Sequence, residues 1–228
     1  MTYMECLQSY IHQQKPGDPI YTEQLAEAVA ADFGITKKNA AAATAVAIKR
    51  IMDGNKLPEL RFYQKGIYYR TVDTPFGEMG INKEKLIANK YLNPDKGYET
   101  GLRLLHHMGL TTQMPTERLL VTNVAKDCVR YDERLDVSIC PPKTPISAEN
   151  KAYLQTLDAL DWLEKAPVDV EAPYAILAAH ISRNDLRYET LLYYADHYYN
   201  RKTIIQLAHT AGHSSILRYD DYNGAGFH

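Results

Sequence analysis

Apolar positions recur at helical spacing from the start of the chain. Met4, Leu7 and Ile11, with Cys6 and Tyr10 beside them, form one face until Pro16-Gly17 breaks it. Leu25, Ala26, Val29, Ala30 and Phe33 form a second face, which follows a predicted N-cap at Thr22 and ends at Gly34. After a short gap, Thr36 predicts a further N-cap for an alanine-rich helix from Lys37 to about Asp53, stopped by Gly54. The period then changes. Between Leu57 and Val72, Leu60, Phe62, Ile67 and Tyr69 are β-prone, and Gln64-Lys65-Gly66 predicts a reversal between two short strands. A short helix, a glycine-bearing turn, a longer helix and a hairpin predict a winged helix-turn-helix over residues 1–75.

Residues 76–228 read as a second, mixed domain with a small sheet and C-terminal helices. The pattern predicts helices around Lys83 to Lys90 and from Tyr98 to His107, the latter closed by Gly109. Strands follow at Arg118 to Thr122 and Leu135 to Ile139, ended by Pro141-Pro142. Ser147 to Glu164 predicts a long helix, and two further helices are expected after the loop Lys165 to Pro173. The expected fold class is therefore α+β, a winged helix-turn-helix followed by an α+β domain. A chain of 228 residues suits two such domains.

Charge sharpens this picture only when it is read locally. The net charge is -2, yet Lys37, Lys38, Lys49, Arg50, Lys56, Arg61, Lys65 and Arg70 face only Asp53 and Glu59 in the same stretch. Beyond residue 75 acidic residues outnumber basic ones, so the first domain is the expected anion binder. At about 100° per residue, Ala40, Ala43, Thr44, Ala47 and Ile51 share the face of the third helix that packs. Lys38, Ala42, Ala45 and Lys49 fall on the opposite face. Alanine lets a helix enter a major groove closely and touch a thymine methyl, while lysines reach phosphates or a guanine edge. Lys37 extends the basic end of the helix, Asn39 and Gln64 carry amides suited to adenine, and Arg61, Lys65 and Arg70 on the hairpin suit flanking phosphates. Double-stranded DNA is the expected partner, and ordinary solvated charge is the alternative.

Gly97-Tyr98-Glu99-Thr100-Gly101, Gly109-Leu110-Thr111-Thr112-Gln113-Met114-Pro115 and Val121-Thr122-Asn123 together resemble the central signature of AbiEi-type antitoxins. Lys49-Arg50-Ile51, Gly66-Ile67-Tyr68-Tyr69 and the late helices carrying Leu186 to His209 fit the same family. The resemblance implies the antitoxin of an abortive-infection, type IV toxin-antitoxin system. It implies an N-terminal winged helix on the operon's own promoter and a C-terminal domain that counteracts a nucleotidyltransferase-like toxin. Tyr98, Thr100, Thr111, Thr112 and Gln113 then become the antitoxin-motif residues. Read by itself, the same motif has Gly97 and Gly109 bracketing a helix and polar side chains satisfying backbone at a turn. The tail Tyr219 to His228 matches no feature of the family.

A solitary winged-helix regulator is one alternative, and a magnesium-dependent nuclease built from Glu133, Asp136 and Lys143 is another. His209 and His213 have the spacing of a zinc pair, but Gly212 is expected to interrupt their helix and no H-E-x-x-H frame surrounds them. Cys6, Cys128 and Cys140 are odd in number and unpaired in spacing, which predicts a reducing, cytoplasmic setting without disulfides. No phosphate-loop or dinucleotide motif occurs, and no signal or membrane segment is predicted. The expectation is a protein that is not an enzyme and takes no cofactor or metal. Tyr188, Tyr193, Tyr194, Tyr198 and Tyr199 lie close together and suit either a core or a partner surface.

Overall fold

A computed structural model describes residues 2–222, with side chains through Ser214, so most of the Tyr219 to His228 tail lies outside the described residues. The fold is mixed α+β, and it divides into two compact units between Leu86 and Ile87.

The first unit opens with α1 (Tyr3–Gln13), whose start is held by a reciprocal cap. The Thr2 amide donates to Glu5 Oε2 at 2.8 Å, and the Glu5 amide donates to Thr2 Oγ1 at 3.2 Å. β1 (Ile20–Tyr21), α2 (Thr22–Phe33) and α3 (Lys37–Asp53) follow, then the hairpin β2 (Leu60–Gln64) and β3 (Ile67–Arg70). Thr22 is not the N-cap of α2. Tyr21 is, without a side-chain bond, because β1 pairs with β3 and the Thr22 amide is taken by the Gly66 carbonyl at 2.9 Å. Thr36 does cap α3, accepting from the Asn39 amide. Gly54 ends that helix, but the left-handed turn is made by Asn55 at φ 45°. The Lys56 amide then returns to the Ile51 carbonyl at 3.0 Å.

Leu7, Ile11, Leu25, Val29, Ile48 and Ile51 make the core, with Ala40 and Ala47 allowing α3 to lie close on α1 and α2. Burial of each large aliphatic side chain contributes about 1.5–3 kcal/mol. A second small hairpin, β4 (Asp73–Thr74) and β5 (Gly77–Glu78), and all but the last residue of α4 (Lys83–Ile87) complete the unit. The expected boundary at residue 75 is therefore too early. Thr71 Oγ1 donates to the Met79 carbonyl, the Asn82 amide donates to the Gly17 carbonyl, and Lys85 pairs with Asp18, all ties that fasten this stretch to the first unit.

The second unit begins with a π-helical turn, Ala88–Leu92. β6 (Gly97–Thr100), α5 (Gly101–His107), β7 (Leu119–Thr122), β8 (Arg130–Asp132) and β9 (Val137–Cys140) follow. The sheet order is β6-β7-β9-β8, with β7 and β9 parallel and the other pairs antiparallel. The predicted helix Tyr98 to His107 thus splits into a strand and a shorter helix. Gly97 is the reason the strand can form. A Cβ there would stand 2.4 Å from the Val121 carbonyl and 2.5 Å from the Tyr91 carbonyl, so only glycine lets β6 run between β7 and the π-helical turn. Gly101 at φ +74° then turns the chain from strand into helix.

α6 (Lys151–Trp162), α7 (Pro173–Arg183), α8 (Tyr188–Tyr198) and α9 (Arg201–Tyr222) close the fold, one helix more than predicted after the loop. Leu105, Leu110, Leu157, Leu160, Leu177 and Leu191 fill their shared core. Gly212 does not interrupt α9, which runs through it, because a single glycine costs a helix only about 1 kcal/mol. Among the described residues no helix is long and apolar enough to cross a membrane.

Candidate functional site

The outer face of α3 is an exposed basic surface of the first unit. Ala40, Thr44, Ala47, Ile48 and Ile51 are buried, while Lys38, Ala42, Ala45 and Lys49 are exposed, as the helical spacing predicts. Ala43 lies at the edge, half-buried. Lys38, Lys49 and the neighbouring Arg50 have no carboxylate partner among the described residues. Val46 stands 51% exposed beside Ala42 and was missed by reasoning from charge, although its place in the helical repeat puts it outside the packed arc. Between α3 and the start of α1 runs an apolar groove of about 530 Å³, lined by Tyr3, Met4, Ala42, Val46 and Arg50.

The hairpin reaches this helix by way of α2. The Gly66 carbonyl at the hairpin turn holds the Thr22 amide, and Thr22 shares a smaller groove with Lys37 and Ala41 at the start of α3. Lys65 is exposed at the turn and has no partner among the described residues. Phe62, also exposed, meets Tyr68 edge to face at 5.6 Å. Gln64 and Asn39 lie at the hairpin turn and at the exposed start of α3.

Three of the predicted cations are occupied within the protein. Arg70 is only 19% exposed, and its Nη1 donates to the His12 and Gln14 carbonyls at 2.7 and 2.9 Å, capping the end of α1. It is a structural clasp and not a free phosphate ligand. Arg61 is held by Glu78 through Nη2 at 2.6 Å and donates from Nη1 to the Pro58 carbonyl. Lys37 pairs with Glu27 at 2.9 Å, though both remain exposed and the pair yields readily to a stronger anion. Lys38, Lys49, Arg50, Lys56 and Lys65 are the basic residues of this stretch with no carboxylate partner among the described residues, and of these Lys38, Lys49, Arg50 and Lys65 lie on α3 and the hairpin turn.

In the second unit the motif residues separate into two places. The Tyr98 hydroxyl and Thr100 Oγ1 donate to Asp158 Oδ2 at 3.2 and 3.0 Å, and the Tyr199 hydroxyl donates to Asp158 Oδ1 at 2.7 Å. Lys143 lies 3.9 Å from the same carboxylate and 3.5 Å from the centre of the Tyr199 ring. Burial pushes the Asp158 carboxyl above its usual range, against the donors and Lys143, which favour its charged form. The other half of the motif is a turn. Both the Thr112 amide and its hydroxyl donate to Asp169, and buried Thr111 accepts from the Gln113 amide. The side chain of Gln113 is exposed. These are backbone-satisfying roles.

Glu133, Asp136 and Lys143 do not assemble. Lys143 faces Asp158 and Asp161, whereas Asp136 sits in the β8–β9 turn at φ 57° and accepts from the Tyr131 hydroxyl. His209 stacks on Tyr174 at 5.1 Å, and no group of three metal-binding side chains occurs among the described residues. Cys6 is buried, Cys140 is half-buried, and Cys128 is exposed. The tyrosines divide, with Tyr188, Tyr194 and Tyr199 packed on the helical core and Tyr193 and Tyr198 exposed. No family model and no curated protein matches the chain.

Burial beside Asp158 holds the Tyr98 and Tyr199 hydroxyls far above the ordinary phenol value. Groups whose folded-state pKa is raised contribute stability that is complete below the unfolded value, about 10 for tyrosine, and is lost as pH climbs above it. Each tyrosine should therefore cost the fold about 1.4 kcal/mol per pH unit beyond that point. Denaturant titrations followed by circular dichroism between pH 9 and 11 should show this fall, and Tyr199→Phe should make it shallower. An equal slope in the variant would mean that the hydroxyl already ionises in the folded protein.

Proposed function

We propose that the chain is a DNA-binding transcriptional repressor, with its first unit acting as a winged helix-turn-helix on the promoter of its own operon. The observation that carries this reading is the free cation set, Lys38, Lys49, Arg50 and Lys65, placed on α3 and the hairpin turn around a strip of alanine. Small side chains let the helix approach base edges, and unpaired cations replace the counterions of the phosphates. The wing contributes Lys65, while Arg70 and Arg61 hold it in shape. In this reading the second unit is an antitoxin domain that counteracts a nucleotidyltransferase-like toxin, which follows from the resemblance of Gly97 to Asn123 to AbiEi-type antitoxins. The protein acts in the cytoplasm, where the DNA and the toxin are, and carries out no catalysis.

A salt titration of promoter binding by the full chain tests the reading. Lys49→Ala should weaken binding to all sequences alike and lower the slope of log affinity against log salt by about one. The fold should hardly change, since Lys49 is exposed and alanine suits a helix. An unchanged slope would remove α3 from the interface.

A further inference from the structure

The free lysines explain affinity for DNA but leave open what the middle of α3 recognises. The exposed side chains between Lys38 and Lys49 are Asn39, Ala41, Ala42, Ala45 and Val46, and of these only Asn39, at the start of the helix, carries a hydrogen-bonding group. Val46 is 51% exposed although it is β-branched and apolar, and its neighbours across the groove, Tyr3 and Met4, extend the apolar surface toward the start of α1. In a major groove the only base feature that rewards such a surface is the 5-methyl group of thymine. Guanine, cytosine and adenine present donors and acceptors that these side chains would desolvate without replacing, which is costly.

We infer that Ala42, Ala45 and Val46 read thymine methyl groups, so that the site recognised by α3 carries thymines opposite the middle of the helix. This rests on the DNA-binding reading and adds its base specificity. The occupant is fixed by charge. Lys38 and Lys49 bracket the apolar strip and Arg50 borders its groove, an arrangement that suits a polyanion with methyl groups on its floor. A second protein surface would leave those cations facing an apolar contact. Asn39 lies nearly two turns before Val46, at the start of α3, where its amide can meet a base at the edge of the methyl-reading strip.

The probe is a duplex that the full chain selects from a random-sequence pool, compared with the same duplex synthesised with single deoxyuridines in place of thymidines. Uracil keeps every hydrogen-bonding group and removes only the methyl. Losing each methyl that α3 covers should weaken binding about fourfold, and substitution of all of them should weaken it tenfold or more. Val46→Ala should shrink this thymine-to-uracil ratio, whereas Lys49→Ala should lower both affinities and keep the ratio. Equal affinity for the two duplexes, with Lys49→Ala still weakening both, would overturn the methyl reading and leave DNA binding standing. Failure to select or bind any duplex would overturn both.

Discussion

The full chain with glutamate in place of Ala45 is expected to lose promoter binding by at least about two orders of magnitude while remaining folded. Ala45 is exposed on the outer face of α3, so the longer side chain displaces nothing in the core. Alanine and glutamate also differ little in helix propensity. The change is electrostatic. A carboxylate between two phosphate rows repels each by several kcal/mol at the dielectric of a protein surface, more than the loss of any single lysine contact costs. Gel-shift titration with circular dichroism as a control measures it. The same variant separates the two proposed activities, because neutralisation by the second unit does not require DNA. Co-expressed with a nucleotidyltransferase-like toxin of the proposed kind, Ala45→Glu should still rescue growth. Loss of rescue together with loss of DNA binding would mean that protection works through repression alone, and full affinity in a folded variant would show that α3 does not enter the groove.

What the sequence made legible follows from where its signals are local. The periodic faces around Leu7, Leu25 and Ala47 mark α1, α2 and α3 because a helix is fixed by neighbours three and four residues away. β1 was invisible, since two residues hold no alternation, and it exists only because Ile20 and Tyr21 find partners in β3. β6 has a helical pattern in sequence for a similar reason. Its strand character comes from pairing with β7, and its one local mark is Gly97, which serves equally as a helix boundary in sequence. The outward face of α3 could be predicted from angle alone. The commitment of Arg70 to the His12 and Gln14 carbonyls could not, because those groups are remote in the chain and backbone carbonyls leave no trace in composition. Asp158 left a faint signal. It falls within about 40° of Leu154 on the helical wheel, so a charge stands on the buried face of an otherwise apolar stripe.

That buried charge supports the other large effect, expected from Asp158→Ala. The carboxylate gathers the hydroxyls of Tyr98 and Thr100 from β6 and of Tyr199 just after α8, and it does so from the middle of α6, so one side chain ties the sheet to the helical layer. Alanine leaves the Tyr98 and Thr100 hydroxyls in a dry site with no acceptor, leaves Tyr199 only the Leu154 carbonyl at 3.0 Å, and strands Lys143 beside Asp161. Breaking a buried charged network by removing one partner costs about 3–5 kcal/mol, which for a protein of this size lowers Tm by roughly 10–15 °C. Asp158→Asn should recover part of the loss, because an amide oxygen in the place of Oδ2 still accepts from Tyr98 and Thr100 while the amide nitrogen cannot accept from Tyr199. Promoter binding below the new transition should be unchanged, since the residues proposed to meet DNA all lie before Leu86. Thermal unfolding of the wild type and both variants, with gel shifts at low temperature, measures each part. A Tm within a few degrees of wild type for Asp158→Ala would show that water enters and satisfies these hydroxyls, and that the tie between sheet and helices is made by apolar packing together with the bond from Gln155 Nε2 to the Glu99 carbonyl.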